Sequence, residues 1–403
     1  MLQPLYHTIL AFVAALVYRF PSKHITVVAV TGTKGKTSVT EITNAIFEHA
    51  GFKTAVSNTI RFKIGDESED NLYKMSMPGR FFIQKFLRKA VNAGCEYAFI
   101  EVTSQGAVLN RHKFIEYDAL IFTNLSPEHI EAHGSYEKYV KAKVSIAEEA
   151  AKSSKPDVAL IANKDDQQTR LFMEKDFKVK KTFSIDDAKP FNLFKEGFAM
   201  TVRGTLIRSP LSGEFNIYNE LAAITYAETQ GVFIEDCRDA IEHFSLIRGR
   251  VEKVNEGQDF EVVVDYAHTP DSLQKFYDVF KGTRRICVLG NTGGGRDVWK
   301  RDEMAKIAEK ECEEVILTNE DPYDDDPQKI VDDMAKVITR KIPYVIMDRR
   351  EAIAKAISLA KSGDSVLITG KGTDPYIMGP NNTKIPWSDE KVTREELRKF
   401  LEK

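Results

Sequence analysis

The chain reads as α/β throughout, as two doubly wound domains preceded by one apolar helix. Three observations predict this. Short runs rich in β-branched residues recur without polar alternation, ITVVAV at 25–30 being the first, as strands buried on both faces of a parallel sheet require. Segments of helical spacing separate these runs, so each strand is followed by a crossover. The 403 residues, at roughly 150 per domain, leave room for two or three cores.

Taken in order, residues 5–20 (LYHTILAFVAALVYRF) carry almost no charge and lie between Pro4, a good first-turn residue, and Pro21, which predicts a helix. The run is shorter than the ~20 apolar residues of a membrane span, and it lacks the basic leader of a signal peptide. Its expected use is packing against the following domain or a partner, with a membrane interface as the alternative. Strand 25–30 then leads through a glycine turn into a helix over 38–50, whose apolar face is Val39, Ile42, Ile46 and Phe47 and whose stop is Gly51. The alternation continues with helix 81–93 ended by Gly94, strands 97–102 and 119–123, helix 135–151 and strand 158–162. Short extended pieces follow between 183 and 215, then helices 219–229 and 236–244. From 248–254 a second block begins, with strands 260–265, 285–289, 315–318, 344–347 and 365–369 alternating with helices 271–280, 303–310, 328–338 and 352–360. This predicts a Rossmann-like C-terminal domain. The expected division is 1–24 apolar helix, 25–247 central domain and 248–403 C-terminal domain. No repeat or low-complexity tract interrupts it.

Composition narrows the function classes. Lys plus Arg at 57 against Asp plus Glu at 60 gives a net charge of -3, which argues against a globally basic nucleic-acid surface. Four cysteines, Cys95, Cys237, Cys287 and Cys312, form no CxxC pair, which disfavours a zinc ribbon or a disulfide scaffold and predicts a reduced, cytoplasmic chain.

The strongest local signal is TGTKGKTS between the first strand and its helix: Thr31, Gly32, Thr33, Lys34, Gly35, Lys36, Thr37 and Ser38. Glycines let backbone N–H groups turn toward a phosphate, the helix N-terminus adds its positive end, Lys36 reaches the terminal phosphates, and the Thr37 hydroxyl suits Mg2+. The usual GxxxxGK[ST] spacing would need glycine at Val30, so this is a shortened variant. The central domain is accordingly expected to be of P-loop ATPase type.

This loop, with the runs EVTSQG (101–106), FTNLSPEHIEAHG (122–134), YVKAK (139–143), FNIYNELAA (215–223), GRVE (249–252), VVDYAHTPDSL (263–273) and ITGKGTD (368–374), resembles the Mur ligases. These are ATP-dependent amino-acid-adding enzymes of peptidoglycan synthesis, and the nearest branch is the one that adds the third, usually diamino, residue to a muramoyl-dipeptide. The resemblance implies that a carboxylate is phosphorylated by ATP to an acyl phosphate, which an amine attacks to give an amide. Charge neutralisation by Mg2+, Lys36 and the loop amides is then the main catalytic contribution.

The resemblance also implies roles. Glu101, just after a strand, becomes a Mg2+ ligand; His129 ligates a second metal; His133 is structural or supports that histidine. Lys143 carries a carbamate formed from its neutral amine and CO2, turning a cation into an anionic ligand. A solvated carboxylate and a surface lysine, like Lys141, are the plain alternatives for Glu101 and Lys143. Asn216 and Asn219 approach adenine, or else cap a helix. Arg250 meets phosphate, and Asp265 with His268 the ribose, unless Arg250 and Asp265 form an interdomain ion pair. Thr103 and Ser104 face the acceptor. Arg296, in GGGRDVWKRDEM (293–304), pairs with the incoming amino acid's α-carboxylate. Asp321, Tyr323, Gly370 and Asp374 complete the substrate side.

Two departures stand out. Enzymes selecting meso-diaminopimelate carry DNPR, whereas this chain has Glu320, Asp321, Pro322 and Tyr323. Loss of the arginine, with Asp324, Asp325, Asp326 and Asp374 nearby, predicts an acidic pocket for a distal ammonium and hence L-lysine or ornithine; helix capping is the plain use of the aspartates. In full-length relatives a uridine-binding domain precedes the phosphate loop, whereas here that loop begins at Thr31. The acceptor is therefore expected to be a UDP-linked or lipid-linked muropeptide, with folate or a poly-amino acid, or a non-catalytic nucleotide-binding subunit, as alternatives. The expected partners are the muropeptide and an amino acid, with no nucleic acid, and the chain is expected to be a monomer. Its place is cytoplasmic, at the inner face of the membrane if the N-terminal helix touches lipid or a partner there.

Overall fold

The computed structural model describes residues 2–402 apart from His129 and Asp297. Two compact units emerge, one of residues up to Glu128 with His133–Ser245, the other from Leu246 onward together with 130–132.

Up to residue 245 the chain runs α1 (Leu2–Val17), β1 (Thr26–Thr31), α2 (Lys36–His49), β2 (Thr54–Ser57), β3 (Arg61–Ile64), β4 (Glu67–Asp70), α3 (Arg80–Asn92), β5 (Tyr97–Glu101), α4 (Ser104–Val108), β6 (Ala119–Phe122), α5 (Ile130–His133), α6 (Tyr136–Ala150), β7 (Ala159–Asn163), α7 (Thr169–Met173), β8 (Val179–Phe183), β9 (Phe191–Leu193), β10 (Phe198–Val202), β11 (Thr205–Ser209), α8 (Glu214–Thr229) and α9 (Ile234–Glu242), all but most of α5 belonging to the first unit. Eight strands form one sheet in the order β4-β3-β2-β5-β1-β6-β7-β8. It is parallel from β2 to β8, because helical crossovers connect most of those strands, and β3 and β4 add an antiparallel edge. β2 is buried but only four residues long (TAVS), and β4 is fully exposed, so neither offers the long apolar run by which a strand is read from sequence. β1 lies between β5 and β6, so the strand order reverses around it. The carboxyl ends at Thr31, Glu101 and Phe122 border the crevice where open α/β sheets bind ligands.

β9, β10 and β11 form a separate antiparallel sheet, and the buried helix α8 follows it. There Glu220 is fully buried, and its carboxylate accepts from Ser209 Oγ. Burial pushes the carboxyl up to about 8. The folded state therefore holds a proton that the unfolded chain releases near 4.3, and the associated stability is lost as pH rises from about 4.3 to about 8. Glu220→Gln, which keeps the shape without the charge, is expected to raise the thermal midpoint at pH above about 8 and to change little near the ordinary glutamate range. Melting curves of both proteins across that window check it.

The second unit runs β12 (Glu252–Lys253), β13 (Glu261–Asp265), α10 (Pro270–Val279), β14 (Arg285–Leu289), α11 (Lys300–Glu311), β15 (Glu314–Leu317), α12 (Pro327–Val337), β16 (Tyr344–Val345), α13 (Arg349–Leu359), β17 (Ser365–Thr369), β18 (Tyr376–Met378), β19 (Lys384–Pro386) and α14 (Asp389–Leu401). Its sheet has the order β12-β13-β17-β14-β15-β16, parallel except for β12. The β18–β19 hairpin and α14 are additions to the predicted alternation; α14 is mostly charged, and its buried apolar residues are Val392 and Leu397. A further correction concerns the cysteines. Cys287 and Cys312 are disulfide-bonded, with Cα atoms 6.1 Å apart, while Cys95 and Cys237 are free and buried. The partners are 25 residues apart, but Cys287 lies on β14 and Cys312 just before its parallel neighbour β15, a proximity that spacing alone does not reveal.

Candidate active site

Between the end of β1 and the start of α2 the loop 32–35 turns on two glycines with positive φ, Gly32 at 152° and Gly35 at 83°. A Cβ on Gly32 would stand 1.9 Å from Thr123 Oγ1, and one on Gly35 would stand 2.4 Å from Asn219 Oδ1. The loop is anchored from β6's end. Thr33 N donates to Asn124 O at 2.8 Å, Lys34 N to Asn124 Oδ1 at 2.9 Å, and Thr123 Oγ1 to Lys34 O at 2.6 Å. Lys36 Nζ folds back over the loop to Gly32 O (3.0 Å) and Thr33 O (2.9 Å), while Lys34 pairs with the buried Glu128 at 2.7 Å. Gly35 gives α2 no side-chain cap, so its first turn presents backbone N–H groups of the kind that hold phosphate.

Glu101 ends β5 and is buried rather than solvated. It accepts from Thr37 Oγ1 at 2.9 Å, Thr59 N at 3.2 Å and Thr59 Oγ1 at 3.1 Å. Lys143, on α6, is likewise buried, unlike the exposed Lys141, and its Nζ donates to Gly32 O at 2.5 Å. Burial, reinforced by the nearby Lys36 charge, holds this amine well below the ordinary lysine range. Among the described residues no group of three His, Cys, Asp or Glu side chains is placed to hold a metal. The oxygen donors at this edge are the Thr37 hydroxyl and the Glu101 carboxylate, hard ligands that suit Mg2+ alongside phosphate oxygens. His129 lies outside the described residues. His133 Nε2 is 3.1 Å from Ser104 Oγ, and Thr103 caps α4 by accepting from Gly106 N at 3.1 Å. Asn216 and Asn219 are not caps, because α8 starts at Glu214. They lie within its first two turns, with Asn219 Nδ2 donating to Asn216 Oδ1 at 2.9 Å and Asn216 Nδ2 to Ser212 O at 2.8 Å.

In the second unit, Lys371 is fully buried and pairs with Asp321 at 2.7 Å and Asp374 at 3.5 Å. Asp321 also accepts from Met378 N at 2.8 Å. Glu320 is buried against Gly370, where a Cβ would come within 2.5 Å of Glu320 Oε2, and it accepts from Thr292 Oγ1 at 2.8 Å. Arg296 lies over the Tyr323 ring (5.1 Å) and donates to its hydroxyl at 3.3 Å. Arg250 stacks over Tyr266 at 4.3 Å. Asp265 accepts from Val251 N (2.7 Å) and Ala267 N (2.6 Å), and His268 Nδ1 lies 2.8 Å from Tyr266 O. Arg250 and Asp265 thus belong to one unit and do not form the interdomain pair considered above. The Asp374 carboxylate, with burial second, holds the Tyr266 hydroxyl well above the ordinary tyrosine range.

The expected acidic pocket is largely self-neutralised. Lys371 takes Asp321 and Asp374, Arg301 reaches Asp325 at 3.4 Å, Asp324 accepts from Asn381 N at 2.7 Å, and Asp326 caps α12 through Gln328 N at 2.9 Å.

Compared with known proteins, residues 30–227 match the Mur ligase middle domain and 249–372 the Mur ligase, glutamate ligase domain. The UDP-N-acetylmuramoyl-L-alanyl-D-glutamate–2,6-diaminopimelate ligase of Caldanaerobacter subterraneus subsp. tengcongensis is 34% identical over 96% of this chain and 81% of its own length. The chain belongs to the Mur ligase family. It is an ATP-dependent amide ligase, of a family that uses ATP and Mg2+. Another relative of this Mur ligase, the UDP-N-acetylmuramyl-tripeptide synthetase of a Roseiflexus species, is 34% identical over 96% of the chain and 81% of its own length. A solved 2,6-diaminopimelate ligase superposes with TM-score 0.63 at 26% identity, covering 94% of this chain and 79% of that one. Mycobacterium tuberculosis folylpolyglutamate synthase with ADP shares the fold, with TM-score 0.72 at 16% identity over 90% of this chain and 92% of that one.

Several residues that line the candidate regions of the two units are not singled out by the sequence. Thr123, Asn124, Glu128, Tyr139, Tyr266 and Lys371 all fall inside the quoted motif runs, so the signal was present but undivided. Thr59, which holds Glu101, lies in no such run. Gly32→Ala is expected to abolish ATP binding, because the added methyl meets Thr123 at a positive φ that alanine rarely adopts. Calorimetric titration with ATP measures the loss, and unchanged affinity would show that the loop relaxes freely.

Proposed function

We propose that this Mur ligase activates a muramoyl-dipeptide carboxylate with ATP and joins it to an amino group of a diamino acid. The observation that carries the reading is Lys143, buried beside the phosphate loop with its Nζ on Gly32 O and within the electrostatic reach of Glu101. A carboxylate oxygen attacks the terminal phosphorus, and ADP leaves. The amine then adds to the acyl phosphate carbonyl, loses a proton, and the tetrahedral intermediate expels phosphate. Lys36 and the loop amides neutralise the two anions that meet in the first step. Thr37, Glu101, His129 and a carbamate on Lys143 would hold Mg2+, which when bound supplies further charge neutralisation. The lowering of the Lys143 amine by burial favours its unprotonated form, which can add CO2 and lose a proton to become that carbamate, whereas an ammonium group cannot.

By family resemblance Asn216 and Asn219 take the adenine, Arg250 a phosphate, and Asp265 and His268 the ribose. Thr103 and Ser104 face the acceptor. Arg296 takes the α-carboxylate of the amino acid, with Asp321, Tyr323, Gly370 and Asp374 around it. The relatives' names support 2,6-diaminopimelate as that amino acid. The L-lysine alternative is supported by Tyr323 standing where the DNPR motif has arginine, but Lys371 weakens its acidic-pocket argument. Diaminopimelate is therefore placed first. Phosphate release from ATP with UDP-linked muramoyl-dipeptide and either amino acid tests both levels. A preference for lysine would reverse the order, and no release with either would remove the reading.

A further inference from the structure

We propose that α1 is a docking surface for an anionic lipid membrane, lying flat in its interface. The helix has two unlike faces. Ala11, Ala14 and Ala15 are buried, and the helix packs on α3, which fixes its rotation relative to the body. Leu5, Tyr6, Ile9, Phe12, Val13, Leu16 and Val17 are exposed, Leu5 at 58%, Ile9 at 52% and Leu16 at 55%. At about 100° per residue these seven form one uninterrupted stripe about 140° wide along residues 5–17. Such a stripe is larger than the scattered apolar residues of an ordinary surface. Among the described residues no helix is long and apolar enough to cross a membrane, so the geometry available is interfacial.

The surrounding charge identifies the occupant. No Asp or Glu occurs in the first 40 residues of a chain whose net charge is -3. Arg19 and Lys23 follow the helix and are exposed, and α3 contributes Lys85, Arg88 and Lys89 with no acidic residue. Arg88 donates to Tyr18 O and Arg19 O, both at 3.0 Å, and lines a small cavity with Val17, Tyr18, Arg19 and Asn92 at the carboxyl end of α1. An apolar stripe flanked by cations complements acyl chains below anionic headgroups. A second copy of the chain would set like charges against one another around the stripe, which disfavours self-association.

Sedimentation of the full chain with vesicles tests the proposal. Binding is expected to be roughly tenfold stronger to vesicles of equal parts phosphatidylcholine and phosphatidylglycerol than to phosphatidylcholine alone, and to weaken with salt. Ile9→Glu with Leu16→Glu, at exposed positions that preserve the melting temperature and ATP binding, is expected to abolish it. Arg19→Glu with Lys23→Glu is expected to reduce it roughly tenfold or more. Absence of vesicle binding, equal binding to neutral vesicles, or unchanged binding by the Ile9 and Leu16 variant would each overturn it. So would a solution dimer that Ile9→Glu dissociates while vesicles fail to bind.

Discussion

Lys143→Ala is expected to reduce amide formation by roughly 10³-fold or more, the scale of removing one preorganised charge-stabilising group. The side chain is buried against the glycine loop and donates to Gly32 O, so alanine removes both the loop contact and the amine proposed to be carbamylated. Lys141→Ala, two residues away and exposed, is expected to leave turnover near that of the parent. Steady-state phosphate release measures both, and equal losses would refute the assignment. With 13C-labelled bicarbonate, the parent should show a carbamate resonance that Lys143→Ala lacks. The pH dependence has a definite sign. Burial, then Lys36, holds the amine well below the ordinary lysine range, so CO2 addition is expected to persist to lower pH than at an exposed lysine and to fall on further acidification, as the amine protonates.

Asp389→Ala should give the largest loss of stability, about 3–5 kcal/mol, the usual cost of leaving a buried charge without its partner. Arg349 on α13 and Asp389 on α14 form a two-bond pair at 2.7 and 2.6 Å, with side-chain exposures of 1% and 0%. Trp387 Nε1 donates to the same carboxylate at 2.8 Å. Arg349 also donates to Thr369 O at 2.7 Å and to Asn319 O at 3.3 Å, backbone positions next to Gly370 and Glu320. Loss of the pair is therefore expected to loosen the amino-acid side of the second unit, raising the KM for the diamino acid more than that for ATP in whatever protein remains folded. Urea unfolding of the full chain gives the first quantity and initial rates the second; a change below about 1 kcal/mol would place the pair among weakly contributing ion pairs.

Parallel strands were the most legible elements. β14 and β17 have the predicted bounds, and β1, β5, β6 and β7 agree to within one residue at each end, because burial on both faces demands continuous apolar runs. Helix starts were less legible. α8 begins five residues before the predicted position, since Gly213 precedes it instead of a side-chain cap, and its first turn is Glu214, Phe215 and Asn216. The exposed β4 and the charged α14 carried too little apolar pattern to be read.

The local layout of the glycine loop was legible in the sequence alone, because strand, glycines, lysine and hydroxyl are contiguous between β1 and α2. The family followed from motif order for the same reason. Only the tertiary structure decided which side chains share a charge environment. Lys371 neutralises Asp321 across 50 residues, Lys143 reaches Gly32 across 111, and Thr59 supports Glu101 across 42. It also decided which face of the apolar helix remains exposed, since that depends on α3 some 60 residues away along the chain. Burial and charge pairing are properties of neighbours in space, and a linear pattern reports them only where chain neighbours and spatial neighbours coincide.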